Sequence, residues 1–361
     1  MKILKNKAII VTFITSLIAI LLGAIISSLL IALSGQSPLA AFRTLIVSGF
    51  GTSGKVWPIW TTLGQSTPLI LTGLAAMISF RVGVFCIAQE SQYIGGAIVA
   101  AWLGASLTLP AIIAIPLILV CSMLFGYVIG YIPGAMKAKL GVNEIISSIM
   151  INEIFSLVLE YLVAFPLRAD SGQKAQSAVI NKAYWLPQFV NGSRWGISFI
   201  VSMIFVVIVY FYIFKSSRGY EIRMVGQNPT FAQYGGINST KVIIRTLCFS
   251  GSVAALAGGM EVLGNYHRIM TGFSSGIGFD GLSIAMLGAS HPFGVSIVAI
   301  LLAGIRQGAQ IGLQIDLHVP RELGGVLIAL IIIFVACQKI YLPKVEKLVD
   351  KLFYSSVKEE V

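Results

Sequence analysis

The chain has 361 residues, of which 57% are hydrophobic and only 11% are charged, with a mean hydropathy of +0.89. Soluble domains carry about 25% charged residues, so this composition excludes an ordinary soluble protein and indicates that lipid covers part of the surface. The formal net charge of +11 comes from basic residues between apolar runs, which favours a role in membrane orientation over nucleic-acid binding. We therefore expect membrane lipid, and no nucleic acid, among the partners.

The N-terminal segment, residues 1–34, is predicted to be a retained transmembrane helix. Lys2, Lys5 and Lys7 precede an uncharged apolar run that ends near residue 34. A signal peptide has an apolar core of only about 7–15 residues, and no small-residue cleavage site clearly follows this run. We therefore interpret the run as the first membrane span.

Apolar runs predict about ten membrane spans, because a helix needs about 20 apolar residues to cross the bilayer. The runs cover residues 8–33, 66–80, 88–106, 109–133, 144–166, 195–214, 242–264, 279–290, 293–313 and 322–340. Two of them, 66–80 and 279–290, are too short to cross at full length. The predicted fold class is all-α and polytopic, and short Gly-rich segments in each half, near 83–96 and 272–290, are compatible with an internal repeat.

The basic residues predict the orientation of these spans. Placing both termini in the cytoplasm puts most of the 25 Lys and Arg residues inside, including the tail from Lys339 to Lys358. Both termini inside require an even number of crossings, so the short segment 279–290 counts as a crossing, with a re-entrant segment as the alternative. The expected location is the cell (plasma) membrane.

The inner loop, about residues 215–241, reads KSSRGYEIRMVGQNPTFAQYGGINSTK. Gly226 to Pro229 predicts a turn, because Gly and Asn tolerate turn dihedrals and Pro fixes its own. A short helix is then predicted from Thr230 to Tyr234, ended by glycine. Basic residues flank this helix on both sides, so it is suited to contact a soluble partner, although an ordinary basic loop is the alternative.

Polar residues recur every four positions in the predicted fifth span. Neighbours four apart lie close together on a helix, so the residues form one slanting stripe. Its members are Glu144, Ser148, Asn152, Ser156 and Glu160, with Glu153 beside them. Polar groups in lipid are costly and usually face the interior or a water-filled path, so the stripe indicates a pathway-lining helix. The alternative is hydrogen bonding between helices.

Other chemistry-bearing residues indicate no catalytic or metal site. The four cysteines lie in apolar segments without ligand spacing, and the three histidines have no metal spacing. No G-x-x-x-x-G-K-[ST] phosphate loop is present, so a nucleotide would have to bind another chain. Asp280 is predicted to cap the start of the short eighth span, and Glu261 and Arg306 are each expected to pair with a partner rather than to bind substrate.

Four stretches resemble one family of membrane proteins. SSRGYEIRMVGQNPTFAQYGGIN is similar to the cytoplasmic coupling loop of permeases in the branched-chain amino acid and simple-sugar group of ATP-binding-cassette (ABC) importers. STPLILTGLAAMISFRVGVFCIAQESQ, PGAMKAKLGVNEIISSIMIN and GFDGLSIAMLGASHPFG resemble further stretches of that group, and most closely its nucleoside-uptake branch. The resemblance covers roughly residues 60–340.

The resemblance implies one set of site residues and adds two residues to the pathway candidates. Those expected to couple to an ATPase are Arg218, Gly219, Arg223, Gly226, Asn228, Pro229, Ala232, Gly236 and Ile237. One stretch departs from the family, since FCIAQESQ stands where F-N-I-G-A-E-G-Q is usual. Glu90 and Gln92 keep their places there and join Asn143 and the stripe as pathway candidates.

The resemblance also implies the architecture and the partners. The chain is expected to be a permease subunit that forms the solute pathway by alternating access, with ATP and Mg bound to separate ABC ATPase subunits. A second permease subunit, homologous or identical, and an extracytoplasmic solute-binding protein or lipoprotein would complete the importer. The implied domains are the helix in 1–34, a permease domain over 35–340 and a cytoplasmic tail over 341–361.

The solute is the least determined part of this interpretation. Nucleosides lead, with simple sugars such as ribose and branched-chain amino acids as alternatives. A secondary transporter driven by an ion gradient would instead use Glu153, Glu160 and Glu261 as ion or proton sites. A membrane-embedded enzyme is disfavoured because no nucleophile, base or metal cluster stands out.

Overall fold

The computed structural model describes residues 37–51, 57–169, 175–190, 192–274 and 276–316, with isolated positions at 25, 26, 28, 32, 326, 329, 330 and 333. The predicted spans 8–33 and 322–340 lie largely outside the described residues, and the predicted tail 341–361 lies wholly outside them. The chain divides into two units, one of residues 1–58 with 304–361 and one of residues 59–303. The site described below lies in the second unit.

The described part of the chain is helical and contains no β-strand beyond isolated bridges. Its α-helices are α1 (Pro38–Phe50), α2 (Trp57–Arg81), α3 (Gln89–Ser106), α4 (Ala111–Leu140), α5 (Glu144–Ala164), α6 (Ile197–Phe214), α7 (Ser217–Gln227), α8 (Pro229–Tyr234), α9 (Ser239–Glu261), α10 (Ile277–Leu287) and α11 (Pro292–Gly308). Among the described residues, six helical segments are long and apolar enough to span a membrane. The all-α membrane class is therefore confirmed, whereas the count of ten is not.

Helix α2 corrects the prediction that the span at 66–80 is too short. It has 25 residues and begins nine positions before the apolar run, at Trp57. Thr61, Thr62 and Ser66 interrupt the apolar pattern, but they are buried against protein, so lipid does not have to accommodate them. Hydropathy alone underestimates the length of a helix that is surrounded by other helices.

Two short helices, α1 and α10, also differ from the predicted spans. The sequence analysis missed α1, which begins at Pro38, a residue favoured in the first turn of a helix. The short segment predicted at 279–290 is α10, whose 11 residues extend about 16 Å, well below the roughly 30 Å of the hydrocarbon core. Asp280 is not the cap predicted for it, since the helix begins earlier, after Gly276 in the left-handed region.

Helix α9 forms the centre of the second unit and packs against α3 and α4. A Cβ atom at Gly258 would overlap the carbonyl oxygen of Tyr93, and one at Gly96 would overlap the carbonyl oxygen of Ala255. Small residues let membrane helices approach until their backbones touch. The most apolar window of α9 is 78% buried, so other helices, rather than lipid, surround it.

Candidate solute cavity and inner loop

A cavity of about 110 Å³ opens where α3, α5, α10 and the segment before α10 meet. Its wall combines three carboxyl groups, two aromatic rings and neutral polar groups. The lining residues are Glu90, Ile94, Asn152, Glu153, Ser156, Leu159, Glu160, Gly272, Phe273, Ser274 and Phe279. Such a wall offers many hydrogen-bond acceptors and a flat apolar surface to a polar solute.

Glu90 holds the cavity wall together at the first turn of α3. Its carboxylate accepts a hydrogen bond from the hydroxyl of Ser274 and one of 2.7 Å from the backbone N–H of Gly278. Gly278 lies in the first turn of α10, where exposed N–H groups and the helix dipole favour a negative charge. Glu90 is therefore both a lining residue and the contact that fixes the start of α10.

Part of the predicted stripe on α5 reaches the cavity. Glu153, Ser156 and Glu160 line it, and Glu153 and Glu160 are exposed on the surface of the chain. Asn152 lies at the edge, but its amide is occupied: it accepts from the N–H of Ser91 and donates to the carbonyl of Ile87, both at 3.0 Å. The C-terminal half of α5 thus faces the cavity, and Asn152 also holds the start of α3.

The structure places the other pathway candidates elsewhere. Glu144 forms an ion pair of 2.8 Å with Lys137, and Asn143 caps the start of α5 by accepting from the N–H of Ile145. Ser148 is fully buried, and its hydroxyl donates to the carbonyl of Glu144. Gln92 is buried on the side of α3 that packs on Gly251 of α9.

The aromatic wall of the cavity was not predicted from the sequence. Phe273 stacks on Tyr93 with ring centroids 5.5 Å apart and meets Tyr266 edge-on at 5.4 Å. Phe279 is 43% exposed and completes the wall from α10. The Gly- and Ser-rich stretch around these residues was the available signal, but its rings come together only through tertiary contacts.

The inner loop folds into two helices, α7 and α8. The side chain of Asn228 accepts from the N–H of Phe231 at 3.0 Å, and Pro229 takes the first helical position. Gly236 ends α8 with a φ of 81°, which glycine adopts without strain. The short helix and its glycine end agree with the prediction, but the turn is narrower, because Gly226 and Gln227 belong to α7.

The side chains of the two arginines predicted to contact the ATPase, Arg218 and Arg223, point in different directions. Arg218 is exposed on α7. The guanidinium of Arg223 instead turns inward, where it donates to the carbonyl of Ile213 and lies 5.8 Å from the ring centroid of Phe214. Gly219, Ala232 and Ile237 serve the fold of the loop, since Gly219 packs on the end of α6, Ala232 is buried and the N–H of Ile237 donates to Ala232.

The exposed surface of α8 is aromatic. The side chains of Phe231 and Tyr234 are 62% and 88% exposed, respectively. Exposed rings beside cationic residues are typical of contact surfaces for another protein.

Comparisons with known proteins give a matching family and several similar chains. Residues 59–336 match the family described as branched-chain amino acid transport system / permease component. The chain is 36% identical over 323 residues to the guanosine ABC transporter permease protein NupP of Bacillus subtilis (strain 168), an alignment that covers 89% of this chain and 92% of the relative.

Two further relatives differ in the solute that they are named for. The nucleoside ABC transporter permease protein NupB of Lactococcus lactis subsp. cremoris (strain MG1363) is 29% identical over 341 residues, covering 91% of this chain and 92% of the relative. A glucose ABC transporter permease protein of Haloferax volcanii is 26% identical over 337 residues, covering 91% and 88%. No solved structure matches the chain.

Proposed function

Because the chain belongs to the permease component family of branched-chain amino acid transport systems, we propose that it is the membrane subunit of an ABC importer for nucleosides. Family membership confirms the resemblance predicted from the four sequence stretches. Its relatives are named as ABC transporter permeases, which are transport components that work with ABC ATPase and solute-binding partners. The solute, the orientation and the site residues are the parts that we propose.

The chemistry of the cavity carries the proposal. Glu90, Glu153 and Glu160 place three carboxyl groups around one small space. Carboxylates repel an anionic solute, which disfavours nucleotides and the carboxylate end of an amino acid. A nucleoside is neutral, and its hydroxyl and amino groups donate hydrogen bonds to such acceptors. The exposed ring of Phe279 offers a flat surface on which a base can stack.

The relatives support the same solute. The two that are most similar among those described are named for guanosine and for nucleosides, at 36% and 29% identity. A simple sugar is the second candidate, because a sugar is also neutral and a relative at 26% identity is named for glucose.

A second permease subunit is part of the proposal. Sites that enclose a drug-sized ligand measure roughly 300–1,000 Å³, and this cavity has about 110 Å³. Glu153 and Glu160 are also exposed on a membrane helix, where a carboxylate needs a polar neighbour or a wet path. We infer that a facing subunit, identical or homologous, completes the pathway. From the distribution of basic residues we also infer that both termini are cytoplasmic.

The domain assignment and the remaining partners follow from this arrangement. The segments 1–34, 35–340 and 341–361 serve as a first helix, a permease domain and a cytoplasmic tail. ATP and Mg would bind the ATPase subunits, with the coupling loop at about 215–241 as their docking element. The capped helix α8, with Asn228 and Gly236 at its ends, and the exposed Arg218 support that role.

Uptake by cells with and without this gene tests the solute. Cells that lack the gene should lose uptake of labelled guanosine and uridine and keep uptake of leucine, and the gene should restore the loss. Loss of ribose uptake with intact nucleoside uptake would move the chain to the sugar group.

The variant Gly236→Trp tests the role of α8. Gly236 has a positive φ, which tryptophan rarely adopts, so the variant should reach the membrane without restoring uptake. Restored uptake would contradict the role of α8.

A further inference from the structure

Helix α10 is attached to the cavity at its N-terminal end. The backbone N–H of Gly278 donates to the carboxylate of Glu90, and a Cβ at Gly278 would overlap the backbone of Glu90. The hydroxyl of Ser274, just before α10, donates to the same carboxylate. A solute that donates a hydrogen bond to Glu90 therefore shares a carboxylate that already positions α10.

Along its length, α10 is packed against α2 without space for adjustment. A Cβ at Gly281 would lie 2.7 Å from the carbonyl carbon of Thr72, and one at Gly73 would lie 2.9 Å from Cγ2 of Ile284. The hydroxyl of Thr72 also reaches the carbonyl oxygen of Ile277, at 3.3 Å. Tightly packed helices transmit displacement instead of absorbing it, so α10 behaves as a rigid element.

At its C-terminal end, α10 enters a turn that Arg81 holds. The Nε and Nη2 atoms of Arg81 both donate to the carbonyl oxygen of Ser290, at 2.9 and 2.6 Å. Ala289 and Ser290 have φ values of 51° and 50°, a conformation that side chains with a Cβ rarely adopt. The two hydrogen bonds from Arg81 stabilise this turn between α10 and α11.

Arg81 also contacts the inner loop. Its guanidinium lies 5.0 Å from the ring centroid of Phe214, and Arg223 of α7 approaches the same ring. A Cβ at Gly226 of α7 would overlap the carbonyl oxygen of Arg81. The residue that fixes the α10–α11 turn therefore contacts α7 directly through its backbone, and indirectly through the ring of Phe214 at the end of α6.

From these contacts we propose that Arg81 and Glu90 are positioning residues that link the inner loop to the solute cavity through α10. A displacement of α7 by an ATPase moves Arg81 and the α10–α11 turn, and α10 passes the movement to Glu90. In the opposite direction, a solute at Glu90 releases the start of α10 and changes the position of the inner loop. This inference rests on the proposed transport function, but it does not depend on which solute is carried.

The replacement Arg81→Gln tests the link in the assembled transporter, purified with its partner subunits and reconstituted in lipid. Glutamine cannot donate twice to Ser290 or stack as a cation on Phe214. We expect basal ATP hydrolysis within about twofold of wild type, and loss of the stimulation by solute-loaded binding protein. Transport per ATP hydrolysed should fall about tenfold, because coupling between two sites typically changes an affinity by about 5–150-fold.

The ratio of stimulated to basal hydrolysis separates linkage from a structural defect. Arg43→Gln is the matched control, since Arg43 is an exposed arginine of α1. Full stimulation in Arg81→Gln would overturn the proposal, and so would a parallel fall in basal and stimulated hydrolysis in assembled transporter. If Arg81→Gln does not accumulate, Arg81→Lys and Phe214→Leu decide by the same ratio, and normal stimulation in both overturns the proposal.

The solute assignment is tested separately in the same material. Guanosine is used first, and ribose is used if wild type does not transport guanosine. Failure with guanosine but success with ribose removes the nucleoside assignment and leaves the linkage test intact. Loss of stimulation in Arg81→Gln with either solute supports the linkage.

Discussion

Helices α5 and α9 differ far more in their burial than in their mean hydropathy. Their most apolar windows have similar mean hydropathies, 1.6 and 1.5, yet the α5 window is 28% buried and the α9 window is 78% buried. Helix α9 carries glycines at its helix contacts, whereas α5 carries glutamates and large apolar side chains. Small residues at the contacts, rather than hydropathy, distinguish the helix that other helices surround from the one that borders the cavity.

The largest effect is expected where α9 touches α3. Gly258→Val would place a branched side chain against the carbonyl oxygen of Tyr93, so the helices must separate. We expect a loss of about 3 kcal/mol or more and little folded protein. The measurement is the monodisperse fraction and the melting temperature in detergent. Leu157→Ala, at a side chain of α5 that is 64% exposed, is the control, and an equal loss there would contradict the comparison.

The next effect concerns the part of α5 that is buried. Asn152→Leu leaves the N–H of Ser91 and the carbonyl of Ile87 without the side chain that now bonds them. Each buried unpaired group costs about 1–3 kcal/mol, so the melting temperature should fall clearly. Ser156→Ala, which removes no such bond among those described, should not lower it. A stable Asn152→Leu protein would show that water replaces the amide.

The cavity side of α5 is checked by thiol labelling in a variant without the four native cysteines. Cysteines at Glu153 and Ser156 should react with a small water-soluble reagent at least about tenfold faster than one at Ser148. Ser148 is fully buried, whereas the other two line the cavity. This revises the expectation from the stripe alone, which made Ser148 part of the wet path. Equal rates at all three positions would show that α5 packs differently.

The smallest effect is expected just beyond the end of α9. The ring of His267 stacks on Trp185 with centroids 3.9 Å apart, and burial lowers the pKa of His267 from its usual 6.5. Since the folded pKa is depressed, its contribution to stability is present above about pH 6.5 and is lost as the pH falls through the folded pKa. The melting temperature of wild type should therefore drop between pH 7.5 and 5.5.

The matched variant for this effect is His267→Asn. Asparagine tolerates the positive φ of 55° at this position and does not titrate in that range. Its melting temperature should change less than that of wild type over the same pH interval. An identical pH dependence in both proteins would assign the drop to other groups.

Local chemistry made the inner loop predictable. The Asn-Pro pair and the two glycines define the ends of α8 through capping and dihedral preferences, which act within a few residues. The limit of such reasoning is visible at Gly226, which the sequence places in a turn. In the structure Gly226 is helical, since α7 continues to Gln227. It packs against the backbone of Arg81 at the end of α2.

The stripe on α5 was predictable only in part, for a geometric reason. Four residues turn a helix by about 400°, so each step advances about 40° beyond a full turn. Glu144 and Glu160, four steps apart, therefore lie about 160° apart around the axis. One faces Lys137 and the other faces the cavity. The contact between Glu90 and Gly278 had no local signal, because it joins segments far apart in the chain.

The glycine contacts of α9 also have a genetic consequence. Every single-nucleotide missense change in a glycine codon yields a residue with a Cβ, because the alternatives are Ala, Val, Ser, Cys, Asp, Glu, Arg and Trp. At Gly258 and Gly96 even the smallest of these meets a backbone carbonyl oxygen. In a library of random point mutations, inactivating missense alleles should therefore cluster at these codons. The exposed apolar positions of α4, such as Ile112 and Leu124, should instead accept exchanges among apolar residues.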